Sequence, residues 1–427
     1  MKVEILSRKL IKPATPTPPH LRSLKISSID QLAPPTYVTF ILYYHANGDE
    51  NDGKRKGLQK SLSEILTLYY PLAGRYIKDD QLVDCNDEGV ECLEAQVSGQ
   101  LAQLLQEEHV KVKVLNHLAP YVMPSASTPL ALVQVNMFEC GGLAIGLLIS
   151  HTMIDGIAMT TFLNAWATTC QAAGINKVIH PRFDLASFFP PREINIDVVN
   201  PKKTKAIIIT RRFVFNREAI STLKEAMTKH QPSRVVVVTA FIWKALIAVA
   251  QARHGHLSRR PSFLCHSLNL RRRTTLPISD NSFGNLYMVA NARFGGEDID
   301  QSKVELNELV VSLQDSIRNT LADYMKPQNG DDLVCMISNS LKEMHEERER
   351  GEIDVFMFTS WCRFPLYEAD FGWGKPIWFS CRARPIELIS LNDTKDGDGI
   401  EAWVSLNETD MLLFQNHPEI KAFTSQI

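Results

Sequence analysis

The chain predicts an α/β fold built as two lobes. Three observations carry that reading: a length of 427 residues, apolar strand-like runs that alternate with stretches of helical spacing, and a proline-rich break near the middle. At 48.2 kDa the chain buries a large core, and ordinary domain sizes favour two domains over one. Two lobes imply a cleft between them.

Residues 36–44 (TYVTFILYY) are rich in β-branched and aromatic types and read as a buried strand. The charged, glycine-rich stretch 48–57 reads as a surface loop. Helical spacing then returns through Leu58, Leu62, Ile65, Leu66 and Tyr69, and Pro71 is expected to end that helix. From 131 to 139, Val133, Val135 and Met137 alternate with Gln134 and Asn136, the period of a half-buried strand. Residues 143–150 (LAIGLLIS) are almost uniformly apolar, as in a strand covered on both faces, and they deliver His151 at their end. Ile157, Thr161, Phe162, Ala165 and Trp166 then fall on one helical stripe, so His151 sits at a strand-to-helix turn.

The expected boundaries are a first lobe over 1–190, a crossover linker over 191–210 and a second lobe over 211–427. The linker is rich in proline and has no helical period. After it come a strand (RRFVFN), a helix from 216, an apolar stretch at 235–250, a basic turn LNLRRR at 268–273, amphipathic helices over 300–325 and 331–350, and a strand at 355–361.

Charge excludes some partners. With 46 basic and 48 acidic residues the net charge is -2, which gives no reason to expect a nucleic acid or an anionic membrane. The start lacks an apolar core of signal-peptide length, and no run reaches the roughly eighteen apolar residues of a membrane span. A cytoplasmic protein is expected. The eight cysteines form no CxxC pair, so they read as reduced, mostly buried thiols rather than a zinc site or a disulfide framework.

A neutral imidazole takes a proton from a hydroxyl near neutral pH, and a positioned acid–base group is worth roughly 10²- to 10⁴-fold. His151 is placed for that task. Asp155 follows four residues later and Gly156 offers conformational freedom at the turn. Asp155 either orients the imidazole directly or turns away and braces the loop through an arginine. A satisfied core histidine is the competing account, and a metal pair lacks a third ligand nearby. Asp370-Phe-Gly-Trp-Gly374 begins like the kinase magnesium motif, but neither a glycine-rich phosphate loop nor an HRD loop precedes it. It reads instead as a tight turn holding an aromatic plug.

Taken together, His151-Thr-Met-Ile-Asp155-Gly156 and Asp370-Phe-Gly-Trp-Gly374 resemble the motifs of the plant BAHD acyltransferases, which move acyl groups from coenzyme A thioesters to alcohols or amines. Tyr70-Pro-Leu-Ala-Gly-Arg75 and Asp84-Cys-Asn-Asp-Glu-Gly89 are similar to the family's N-terminal signatures, so the resemblance spans the chain. The segments FECGGLAIGLLISH, FLNAWATTC and SWCRFPLYEADFGWGKPIW are most like the subgroup that contains vinorine synthase and deacetylvindoline acetyltransferase.

The resemblance implies two chloramphenicol-acetyltransferase-like lobes with a central solvent channel, a monomer, acetyl-CoA as co-substrate and no metal. His151 would be the base, and Asp155 would pair with Arg273, an arrangement that can be bidentate. Trp361, with Thr359, would face developing negative charge, where one donor supplies roughly 3–4 kcal/mol. Asp370, Gly372 and Gly374 would be structural, carried in the second lobe with most coenzyme A contacts. Lys244, Arg271, Gly284 and Asn285 match positions near the cofactor, although a solvated cluster also accounts for Arg271 and Arg272. Tyr37, Val38 and Phe40 would lie near the acceptor; their apolar character points to a lipophilic terpenoid or alkaloid alcohol. An aroyl or malonyl transferase, a Cys or Ser hydrolase and a catalytically silent binding protein are the alternatives.

Overall fold

The structure, a computed structural model, describes residues 1–46, 51–106, 112–122, 125, 127–172, 174–194, 206–227, 231–254, 260–295, 304–383 and 385–426. The chain forms two compact units. The first comprises Met1–Asn195, Ile278–Leu286 and Phe364–Arg382; the second comprises Ile196–Pro277, Tyr287–Arg363 and Ala383–Ile427.

The first unit is built on a six-stranded sheet whose spatial order is Val3–Ile11, Val90–Val97, Ala131–Phe138, Leu143–Ser150, Tyr37–Tyr44 and Trp378–Ser380. Only Val90–Val97 and Ala131–Phe138 run parallel among these neighbours. The two apolar runs that the sequence marks, Tyr37–Tyr44 and Leu143–Ser150, lie side by side, with Tyr37 opposite Ser150. The strand expected to be half-buried is buried throughout. Its polar residues serve the interior: Gln134 donates to His117 O at 2.7 Å, and Asn136 to Leu118 O at 2.8 Å and Ala144 O at 3.0 Å. Buried amides that satisfy loop carbonyls thus imitate the alternation of an exposed face.

The helix expected after residue 57 begins earlier, at Asn51, and ends at Leu66. Asp52 pairs with Arg55 and Lys56 at helical spacing, which supports a first turn that Gly53 and Gly57 weaken. Residues 48–50 of the expected loop lie outside the described residues. Pro71 opens a short 3-10 turn, Tyr70–Ala73, instead of ending the helix. The second helix, Gly156–Ala172, meets the first through Trp166, whose indole donates to Ser61 Oγ at 3.1 Å.

A correction concerns the second landmark. Asp370-Phe-Gly-Trp-Gly374 belongs to the first unit, not to a C-terminal lobe over 211–427. Strand Trp378–Ser380 pairs with the Tyr37–Tyr44 strand, Tyr43 stacks on Trp378 at 4.9 Å, and Tyr44 Oη donates to Ala369 O at 2.9 Å. Chain order and lobe membership therefore part company. Residues 278–286 return to the first unit as well.

The second unit carries a seven-stranded sheet in the order Tyr287–Phe294, Ser262–Asn269, Asp354–Ser360, Leu388–Asp393, Ile400–Asn407, Ile208–Phe215 and Ser425–Gln426. Helix Arg234–His254 buries Val237, Phe241, Trp243 and Leu246 in its core. That helix is long and apolar enough to cross a membrane by length and composition, contrary to the sequence reading, and 67% of its apolar window is buried inside the protein. The amphipathic stretches become Leu306–Tyr324 and Gly330–Arg350. Asn329 caps the latter through Asp332 N, and Gly351 closes it at φ 66°. Of the expected linker 191–210, residues 195–205 lie outside the described residues.

Candidate active site

The strand Leu143–Ser150 ends where His151 N donates to Thr36 O at 2.8 Å, tying the turn to the start of the neighbouring strand. The imidazole is half-buried, and its Nδ1 lies 3.0 Å from Asn285 Oδ1. Asn285 is fully buried. Its Nδ2 donates to His151 O at 2.7 Å and to Asp30 Oδ1 at 2.8 Å, and its backbone N donates to the same Asp30 oxygen at 2.7 Å.

Asp30 holds its other oxygen against Ser27 Oγ at 2.6 Å and Ser27 N at 3.1 Å, while Ser27 Oγ accepts from Asp30 N. This capping box starts the short helix Ser28–Gln31. Burial pushes the Asp30 carboxyl above its ordinary value, against the hydrogen bonds from Ser27 and Asn285.

Asp155 performs a structural task. Its Oδ1 accepts from Ala158 N at 2.9 Å, capping helix Gly156–Ala172, and its Oδ2 accepts from Leu286 N at 3.0 Å. One carboxylate thereby joins the helix start to the segment that supplies Asn285. Gly156 is the first helical residue and is absent from the positive-φ glycines among the described residues, so the conformational freedom expected of it is not used.

Asp370 Oδ1 accepts from Gly372 N at 2.8 Å and Gly374 N at 3.0 Å, and both glycines have φ near +105°. That is the left-handed turn that glycine permits. The aromatic plug is Phe371, which is buried with Trp166 at 4.9 Å and Trp373 at 5.6 Å.

The other residues of the expected site make contacts within their own units. Gly284 and Asn285 are packed on Asp30 and His151; a Cβ on Gly284 would lie 3.2 Å from an Asp30 oxygen, and its φ is +140°. Val38 and Phe40 are core residues, Phe40 meeting Phe379 edge-on at 5.1 Å. Tyr37 is partly exposed and donates to Pro129 O at 3.0 Å, and burial raises its hydroxyl to about 12.

In the second unit, Lys244 pairs with Glu419 at 2.7 Å. Arg271 is buried with Nη1 at 3.3 Å from Asn269 Oδ1, whereas Arg273 is exposed and donates to Asn269 O at 3.3 Å. The buried guanidinium of the basic turn is thus Arg271. Trp361 is 5% exposed and its N donates to Leu391 O at 2.7 Å; half-buried Thr359 stands opposite Ser390 in the sheet.

Sequence reasoning gave no role to Asp30, although Ser27-Ser-Ile-Asp30 has the spacing of a capping box. Burial raises the thiols of Cys85, Cys92 and Cys362 to about 12, which makes these three poor nucleophiles. None of the eight cysteines is joined in a disulfide. Among the described residues no group of three or more His, Cys, Asp or Glu could hold a metal.

Residues 1–421 match the Transferase family. Acetyl-CoA-benzylalcohol acetyltransferase of Clarkia breweri is 38% identical, with both chains covered to 100%. Vinorine synthase of Rauvolfia serpentina is 36% identical over 96% of each chain, and its crystal structure superposes with a TM-score of 0.85, covering 100% of this chain and 99% of that one at 32% identity. The F. sporotrichioides TRI101 structure complexed with coenzyme A and T-2, at 19% identity, shares the fold over 94% of this chain and 99% of its own with a TM-score of 0.72. A two-lobed fold with relatives of this closeness defines an acyl-CoA-dependent acyltransferase. The chain belongs to the plant BAHD acyltransferase family.

Proposed function

We propose that the protein transfers an acetyl group from acetyl-CoA to a hydroxyl of a hydrophobic plant specialised metabolite, acting as a cytoplasmic monomer. The observation that carries the chemistry is His151, half-buried at a strand end with one ring nitrogen engaged by Asn285. The second nitrogen, Nε2, removes the hydroxyl proton as the oxygen attacks the thioester carbonyl. The carbon–sulfur bond then breaks, the imidazolium returns its proton to the departing thiolate, and ester and free coenzyme A result.

An oxyanion develops in that step, and one hydrogen-bond donor facing it is worth roughly 3–4 kcal/mol. Holding both substrates together contributes alongside the base. No covalent acyl-enzyme is required, in keeping with thiols whose burial keeps them protonated. Support for acetyl as the donor group and an apolar alcohol as acceptor comes from the Clarkia enzyme, whose name states acetyl-CoA and benzyl alcohol.

The test offers acetyl-, malonyl- and benzoyl-CoA with a panel of terpenoid, alkaloid and benzylic alcohols, reading products by mass spectrometry and free thiol by colorimetry. Acetyl transfer is expected to dominate. His151→Ala, with its fold confirmed by circular dichroism, is expected to lose roughly 10²- to 10⁴-fold in kcat; transfer at the wild-type rate would remove His151 as the base.

A further inference from the structure

Near its C-terminal end, helix Arg234–His254 leaves room above the sheet of the second unit. Leu246, Val249, Ala250 and Arg253 follow one another at helical spacing on one face, and all four border a recess of about 470 Å³, its open mouth included. A second recess, of about 230 Å³, shares Ala250, Asp354 and Phe356 with the first. Every residue that borders either recess belongs to the second unit. Nothing in the acyl transfer described above uses them. Asp354 begins the strand Asp354–Ser360, so Thr359, five residues further along it, stands about 17 Å away.

The charges that border the larger recess do not balance. Its carboxylates are Asp354, Glu387 and Asp410, and Arg253 is the one cation among the described residues that line it. Arg253 Nη1 donates to Asp410 Oδ2 at 2.7 Å and Nη2 to Asp354 Oδ1 at 3.0 Å. From the side of the second recess, Arg260 Nε comes within 3.7 Å of the same Asp354 oxygen. His254 Nε2 accepts from Arg253 Nε at 3.3 Å and as an acceptor adds no charge. Glu387 Oε1 is held by neutral donors, Asn407 N at 3.0 Å and Asn407 Nδ2 at 2.9 Å. Three carboxylates thus face two guanidiniums. Asp410 is 6% exposed, and its Oδ1 is buried with no hydrogen-bond partner.

A buried carboxylate oxygen is costly unless a donor meets it, and an unbalanced charge is costlier. Water could supply the donor but not the charge. An anion would be repelled, and an alcohol would leave the imbalance in place. A bare metal ion fits no better: among the described residues no group of three or more His, Cys, Asp or Glu could hold one, and Asp354 and Asp410 are already tied to Arg253. The end of a helix favours positive charge as well. The remaining walls, which include Leu246, Val249 and Leu406, are apolar.

We propose that this recess binds a small organic cation, a primary or secondary amine in its ammonium form. Its N–H groups meet Asp410 Oδ1 and Glu387, and its short alkyl portion lies along Leu246, Val249 and Leu406.

Saturation-transfer NMR on the full chain compares n-butylammonium, butan-1-ol and butyrate, which share a chain length and differ in charge, with ionic strength held constant. Butylammonium is expected to bind with a dissociation constant of about 1–10 mM, which so small a ligand can reach. The alcohol and the carboxylate should bind at least about tenfold more weakly, because neither pairs with the carboxylates. Two variants locate the site. Ala250→Leu fills space that borders both recesses and should abolish the signal, with its fold confirmed by circular dichroism. Glu387→Gln keeps an oxygen for Asn407 while removing a charge, so affinity should fall by about five- to tenfold, and it decides the matter if Ala250→Leu folds poorly. No butylammonium signal at about 20 mM, ten times the middle of the expected range or less, overturns the proposal. So do equal signals from the three compounds, or wild-type binding in folded Ala250→Leu or in Glu387→Gln. Binding is read without turnover, so the outcome is separate from that of the acyltransfer assay.

Discussion

Replacing Asp155 with alanine removes, among its interactions, two hydrogen bonds from backbone amides, and each has a separable cost. The bond from Ala158 N at 2.9 Å caps helix Gly156–Ala172; its loss costs about 1 kcal/mol. The bond from Leu286 N at 3.0 Å satisfies a buried amide; leaving that donor unpaired costs about 1–3 kcal/mol. The sum is roughly 2–4 kcal/mol, which in a lobe of this size lowers the melting temperature by about 5–15 °C. Asp155→Asn keeps an oxygen for the cap but turns an amide nitrogen towards Leu286 N, so it should fall between the wild type and Asp155→Ala. Calorimetry measures the shift, and hydrogen exchange at Leu286 reports the freed amide. Because Leu286 follows Asn285, which holds the His151 ring, kcat should fall in the fraction that remains folded if His151 is the proposed base. A melting temperature within about 1 °C of wild type would refute the bracing role.

Three further outcomes follow from the same structure. His266 is buried and neutral, with desolvation lowering its value from 6.5 to about 4; the unfolded chain binds the extra proton between those values, so stability is full above pH 6.5 and about 3 kcal/mol is lost as pH falls through 4. Denaturant midpoints over that range should flatten in His266→Phe, and superimposable curves would contradict the burial argument. Phe371→Ala should cost about 3–5 kcal/mol by emptying the space beside Trp166 and Trp373, seen as a lowered melting temperature with KM for acetyl-CoA unchanged; a normal melting temperature would separate the motif from stability. Lys244→Met breaks a part-exposed pair with Glu419, so stability should change by about 0–1 kcal/mol and KM for acetyl-CoA by less than about twofold, whereas a tenfold rise in KM would return Lys244 to the cofactor.

What could be read along the chain and what could not divide according to the range of the interactions. Tyr37–Tyr44 and Leu143–Ser150 were legible because a strand covered on both faces needs an unbroken apolar run. The capping box at Ser27 and Asp30 is equally local, a three-residue spacing readable without coordinates. By contrast, Gln134 and Asn136 were misleading: their partners are carbonyls of residues 117 and 118, and nothing in the strand's own period distinguishes a buried amide serving those carbonyls from an exposed one. Phe371 was assigned to the wrong lobe for the same reason, since the aromatic residues Tyr44 and Trp166 that bury it are supplied by elements far earlier in the chain.

The site shows the consequence most plainly. His151 and Asp155 are four residues apart and therefore visible as a pair, which invites the idea that the carboxylate serves the imidazole. In the fold, the atom at His151 Nδ1 comes from Asn285, and the carboxylate behind it comes from Asp30, 255 residues from Asn285. Asp155 instead fixes the amide one residue beyond Asn285. The spacing within the motif therefore encodes a helix cap and a backbone clamp rather than a proton relay, and the two functions meet only where residues 285 and 286 adjoin. A substitution at either carboxylate would disturb the surroundings of His151, but by different routes. Loss of Asp155 should register in stability through the helix cap and the Leu286 amide, and loss of Asp30 through the buried Asn285 amide that it anchors.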